Sequence, residues 1–146
     1  MVKLIDYEKL LRKSNILPVE DWKHFTFYHG VPKAGTTEAA QINILKKEPQ
    51  KVGGSYKHDG LYAYKMGKEY IYIGKGKPIF NRLKSHYRES FKEPRKDGKG
   101  GRWNAFFSQY IGELSIYWIP VEEEVDRKTL EIALHETIET TFEEFK

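Results

Sequence analysis

The hydrophobic pattern is sharpest from Gly60 onward. Leu61–Lys65 and Tyr70–Gly74 are runs rich in β-branched and aromatic residues, joined by Met66-Gly67-Lys68-Glu69, and this combination predicts a β-hairpin. Pro78 can open a helix, in which Phe80, Leu83 and Tyr87 recur at helical spacing. Trp103, Phe106, Phe107, Tyr110 and Ile111 fall at i, i+3, i+4, i+7 and i+8, the signature of an amphipathic helix. Leu114, Ile116 and Trp118 then alternate with Ser115 and Tyr117 up to Pro120, which predicts a third strand. The acidic run Glu122-Glu123-Glu124 with Asp126 suits a helix N-terminus, where the backbone dipole favours negative charge. Leu130, Leu134, Ile138, Thr141 and Phe145 line one side of the helix expected to follow.

Before Gly60 the pattern is weaker. Tyr7–Ser14 reads as a short helix stopped by Pro18, and His24–Tyr28 has the composition of a strand, bounded by Gly30 and Pro32. Thr36-Thr37 can cap a helix through Ala39, Ile42 and Leu45, which Pro49 ends. Lys51–Gly60, with Gly53-Gly54 and Asp59-Gly60, reads as a linker, and Glu93–Gly101, with Pro94 and three glycines, as a mobile loop. The expectation is an α/β (α+β) fold with a small, three-stranded, mostly antiparallel sheet flanked by helices. Residues 1–54 would form an N-terminal helical extension and residues 55–146 the main domain.

Composition narrows the function. A chain of 146 residues can bury roughly two-thirds of its unfolded surface, and 8 Phe, 10 Tyr and 3 Trp supply much of the core. There is no cysteine, which excludes disulfides, thiolate zinc sites and a cysteine nucleophile. With a polar N-terminus and no long apolar stretch, a cytoplasmic protein without membrane contact is expected. Charge is segregated: residues 75–102 hold ten Lys/Arg against three Asp/Glu, and residues 103–146 hold three against ten. Such segregation suggests one surface that meets polyphosphate beside another that does not.

The candidate chemistry lies in the hairpin and the helices after it. Gly60-Leu61-Tyr62, then Tyr72-Ile73-Gly74, then Arg82 eight residues beyond Gly74, His86, and a Glu on a later helix together resemble the signature of the GIY-YIG nuclease family. The resemblance covers roughly residues 59–145. It implies a divalent-metal-dependent endonuclease that hydrolyses nucleic acid phosphodiester bonds, most readily DNA, with Mg²⁺ or Mn²⁺ as cofactor.

Each residue type fits that chemistry. A phenol has a free pKa near 10, which a neighbouring guanidinium or metal can lower. Tyr62 is therefore the candidate general base, with Tyr72 orienting the water or phosphate. Arg82 offers a fork of donors that matches phosphate oxygens, and His86, one helical turn away, could reach the scissile phosphate or the leaving oxygen. For the metal ligand, helical geometry places Glu131 about 60° from the centre of the apolar stripe and Glu136 on the opposite side. A carboxylate set into an apolar face is compensated by a cation, so Glu131 is favoured over Glu136. One carboxylate with phosphates and waters is a normal Mg²⁺ arrangement. Lys75, Lys77, Lys84, Arg88, Arg95, Lys96, Lys99 and Arg102 are the candidate phosphate-binding cations.

Two other motifs fail. Gly74-Lys75-Gly76-Lys77 lacks the preceding Gly and following Ser/Thr of a phosphate loop, and His135–Glu139 lacks the second His of a zinc-protease helix. Many family members carry an Asn beyond the Glu. Here Asn104 is the last Asn, which keeps open the alternative of a catalytically weak or inactive nucleic-acid-binding module on the same fold. Cutting both strands of a duplex would call for a homodimer or two visits.

Overall fold

The alternation that predicted the third strand is realised as a strand pairing on both sides. In the computed structural model, which describes residues 4–29, 57–90, 102–110 and 112–141, the elements run as follows: α1 (Leu4–Lys13), a 3-10 turn (Val19–Asp21), β1 (Lys23–His29), β2 (Gly60–Met66), β3 (Glu69–Gly76), α2 (Ile79–Ser90), α3 (Arg102–Gln109), β4 (Gly112–Pro120) and α4 (Glu124–Thr137). The expected helix around Ala39, Ile42 and Leu45 and the Glu93–Gly101 loop lie outside the described residues, as does most of the Lys51–Gly60 linker.

Among the described residues the sheet has four strands in the order β1-β4-β2-β3, where three were expected. The extra strand is the N-terminal His24–Tyr28 run, which pairs antiparallel with β4 so that Phe25 lies opposite Ile116 and Lys23 opposite Trp118. Every strand pair is antiparallel. A central β4 has to satisfy backbone groups on both its edges, and β1 supplies the partner that β2 cannot.

Period-two alternation sends side chains to both faces, and helices cover both. Leu114, Ile116 and Trp118 join Tyr62, Tyr64 and Ile71 beneath α2 and α3, which contribute Ile79, Leu83, Trp103 and Phe106. On the reverse face Leu61, Ala63 and Ile73 pack with Leu11 of α1, with Trp22, and with Leu130, Ala133 and Leu134 of α4. A β-bulge interrupts the regular hairpin register: Tyr64 faces Tyr72, but Lys65 faces Tyr70, so Ile71 is the extra residue. Ile71 and Tyr72 therefore both pack on the α2–α3 side, while Tyr70 belongs to the reverse side.

The last helix is shorter than its apolar spacing predicts. It ends at Thr137, whose hydroxyl donates to the Ala133 and Leu134 carbonyls at 3.0 and 3.3 Å, and Ile138 is extended at φ −120°, ψ 120°. The chain then runs beside the outer edge of β3, where the Thr141 amide donates to the Tyr70 carbonyl at 3.1 Å. Ile138 thus still packs on the α1–α4 side after the helix has ended, while Thr141 is exposed.

Candidate functional site

Glycines explain why the two tripeptides sit face to face. Gly60 pairs with Gly76, and Tyr62 with Gly74. A Cβ on Gly74 would stand 2.6 Å from the Tyr62 hydroxyl and 2.7 Å from its Cζ, so any side chain there would force the phenol ring to shift. A Cβ on Gly60 would stand 2.2 Å from the Ile119 carbonyl oxygen, and one on Gly76 would stand 2.5 Å from Ile79 Cα at the start of α2. The missing side chains let β4 and α2 close on the hairpin.

Tyr62 is fully buried. Its hydroxyl lies 3.4 Å from His86 Nε2, and the Tyr64 hydroxyl lies 3.4 Å from Nδ1 of the same ring. A neutral imidazole has one N–H and one lone pair, so it can serve one hydroxyl as donor and the other as acceptor. Trp103 stacks on His86 with centroids 3.4 Å apart and on Tyr72 at 5.2 Å. Burial pushes the Tyr62 phenol well above its ordinary value, Tyr72 and Tyr64 add to the rise, and the charge and hydrogen bond of Arg82 offset only part of it. The expected lowering by a guanidinium is present, but desolvation outweighs it.

His86 is wholly buried and meets Tyr62, Tyr64 and Trp103. Arg82, one turn earlier on α2, is exposed and linked to Tyr62. α2 therefore turns His86 into the core and leaves Arg82 at its rim.

Glu131 stands on the other side of the sheet. Lys75 pairs with Leu61, which belongs to the α1–α4 face, and its Nζ lies 3.7 Å from Glu131 Oε1. The Glu131 side chain is 21% exposed, whereas Glu136 is open to solvent. Tyr72 joins the two sides: β3 is an edge strand, and Tyr72 and Glu131 both border a cleft of about 620 Å³ that also meets Ile73, His135, Glu136 and Glu139. Tyr62, Arg82 and His86 thus lie on one face, Lys75 and Glu131 on the other, with Tyr72 at the edge between them. Among the described residues no three His, Asp or Glu side chains converge as a ready-made metal centre.

Of the remaining cations, Lys77 is exposed, and Lys84 is half-buried with its Nζ 5.9 Å from the Phe80 ring centroid. Arg88 lies in α2 and Arg102 in α3, with side chains outside the description, and Arg95, Lys96 and Lys99 fall outside the described residues altogether. Sequence reasoning missed Tyr64, Trp103 and Lys128 as neighbours of these groups. Tyr64 was available from period two after Tyr62, and Lys128 from its place one turn before Glu131. No local signal marks Trp103 as the residue stacked on His86.

No helix among the described residues is long and apolar enough to cross a membrane. No family model matches the chain, and no solved structure matches it. Over 58 residues, 40% of this chain, the sequence is 45% identical to the UvrABC system protein C of Fervidobacterium nodosum, and the match spans 8% of that protein's length.

Proposed function

We propose that this chain is a nucleic-acid-binding module of the GIY-YIG type that hydrolyses phosphodiester bonds, with DNA as substrate and a divalent cation as cofactor. The observation that carries the reading is the convergence around the β3 edge. Arg82 bonds to Tyr62, Tyr62 lies over Gly74, Tyr72 shares a cleft with Glu131, and Glu131 pairs with Lys75. The partial likeness to the UvrABC system protein C of Fervidobacterium nodosum supports the same reading.

The donor set fits Mg²⁺ or Mn²⁺. Glu131 is a hard oxygen ligand at the border of an open cleft, and a single protein carboxylate suffices where waters and phosphate oxygens complete the shell. When bound there, the cation supplies positive charge to the phosphoryl oxygens. The chain's own groups then divide the work. Arg82 presents its guanidinium fork to the phosphate. Tyr62 stays protonated and holds Arg82, and His86 with Trp103 holds Tyr62, so all three are positioning residues. Tyr72, which reaches the cleft, is better placed than the buried Tyr62 to orient the attacking water.

A second reading is binding without turnover, favoured by the fully buried Tyr62 phenol, which desolvation keeps protonated. A panel of labelled duplex, branched, single-stranded and RNA substrates, tested with and without Mg²⁺ or Mn²⁺, separates the two. Cation-dependent cutting that Glu131→Gln abolishes while binding persists supports the nuclease. Binding with no cutting under any cation leaves the binding module.

A further inference from the structure

Charge that is segregated along the chain is not segregated in space. Of the three Lys/Arg that follow Trp103, Arg127 and Lys128 come to a concave cleft of about 170 Å³ whose other cationic walls are Lys75 and Lys77. Glu124 is the one carboxylate bordering it among the described residues. The cleft lies where the end of β3 meets the first half of α4.

Its cations are committed to different degrees. Arg127 is buried, and its Nη1 donates to the Val121 and Glu122 carbonyls at 2.9 and 2.6 Å and lies 3.6 Å from Asp59. It is a fixed charge in the wall. Lys75 leans toward Glu131. Among the described residues Lys128 pairs with the well-exposed Glu124, at 3.8 Å, a pairing that water screens almost completely. Lys77 is exposed. Like charges gathered in a concavity raise the local potential and draw in an anion. On the far side of the Lys75–Glu131 pair the sign reverses, because that larger cleft is bordered by Glu131, Glu136 and Glu139.

We infer that the cleft between Lys77 and Lys128 receives a backbone phosphate of a nucleic-acid strand, so that the strand crosses the first half of α4 and enters the acidic cleft at Glu131 only with the phosphate that meets the cation there. The inference rests on the proposed nucleic-acid binding and deepens it by fixing the side from which the strand approaches. The acidic C-terminal segment thereby contributes to the phosphate-binding surface, through Lys128 on a helix that otherwise carries mostly negative charge.

The test is fluorescence anisotropy with a labelled DNA duplex, on the Glu131→Gln protein so that nothing is cut, at several salt concentrations. Lys77→Ala and Lys128→Ala should each weaken binding about three- to tenfold and flatten the slope of log affinity against log salt by about 0.9. Lys128→Arg should restore both. Lys68→Ala, at the hairpin turn on the opposite end of β3, is the control for net charge and should leave the slope unchanged. Inorganic phosphate in place of DNA, followed by calorimetry, reports whether the cleft takes a free anion: tight, Lys128-dependent phosphate binding with Lys128-independent duplex binding overturns the inference. So does an unchanged slope for Lys128→Ala, or a Lys68→Ala effect of equal size. If the parent protein binds the duplex with no salt dependence, or not at all, the proposed nucleic-acid binding itself fails, which is a separate result.

Discussion

Replacing Gly74 by Ala tests whether the phenol of Tyr62 is held where the site needs it. The new Cβ would stand 2.7 Å from Tyr62 Cζ and 2.6 Å from its hydroxyl oxygen, about 0.8 Å inside ordinary carbon–carbon contact. Tyr62 has little room to yield, being fully buried among Tyr64, Tyr72 and His86. Overpacking of this kind costs about 1–3 kcal/mol. Against it stands the entropy gained when a glycine is lost from the unfolded chain, about 0.4–1 kcal/mol, available because Gly74 is not among the positive-φ positions. Overpacking wins, and the net loss should be about 1–2 kcal/mol, a Tm lower by about 2–8 °C for a domain of this size. In a Tyr62→Leu background the atoms that clash are gone, so the same substitution should be neutral or slightly stabilising. Urea unfolding of the four proteins in the cycle should therefore give a coupling energy above about 1 kcal/mol. Cleavage by Gly74→Ala should fall while duplex binding persists, because the displaced ring carries Arg82 with it. A coupling near zero, or a Gly74→Ala protein as stable as the parent, would refute the close approach of the two tripeptides.

Two further outcomes are expected. Removing the ammonium with Lys75→Met deletes a competitor for Glu131; an exposed ion pair is worth about 0.2–1 kcal/mol, so Mn²⁺ binding measured by electron paramagnetic resonance should tighten about 1.5- to 5-fold while cutting declines, and weaker Mn²⁺ binding would contradict the placement. Tyr70 donates a short hydrogen bond to Glu20, which Lys65 also approaches at 3.7 Å; the bond holds the Glu20 carboxyl below its ordinary value of 4.5, and burial first and Glu20 second raise the Tyr70 phenol above 10. The depressed carboxyl contributes stability above its unfolded value that is lost as pH falls through the folded value, and the raised phenol contributes stability below pH 10 that is lost on the alkaline side. Tyr70→Phe should therefore cost about 1 kcal/mol near neutrality, discounted for the exposure of Glu20. The deficit should shrink below about pH 4, and urea midpoints that differ by a constant amount down to pH 3 would show that the bond contributes nothing.

The hairpin, α2, α3, β4 and the start of α4 were legible because each carries its own periodicity, although α3 ends at Gln109, before the expected Tyr110, and Ile111 lies outside the described residues. The fourth strand was half legible. His24–Tyr28 has strand composition, but its partner lies some ninety residues away, opposite Lys23 at Trp118 and Tyr28 at Glu113, and no local pattern encodes a pairing of that range. Arg82 and His86 share a helix face, as their spacing requires, yet which of them is buried depends on how α2 seats against Tyr62 and Trp103. Likewise the summed charge of residues 103–146 hid the convergence of Arg127 and Lys128 with Lys75 and Lys77. A count along the chain discards the folding that brings α4 across the end of β3.

The bulge at Ile71 separates two demands that a regular strand would force together. Residues two apart on a β-strand ordinarily share a surface, so a change that suits one constrains the other. One residue of slack places Tyr70 and Tyr72 on opposite sides of the sheet. Tyr70 is left to tie the 3-10 turn to β3 through Glu20, and Tyr72 to face Trp103 and the cleft. A single strand thereby serves two surfaces, and substitutions that retune the clamp at Tyr70 leave the contacts of Tyr72 free to vary on their own.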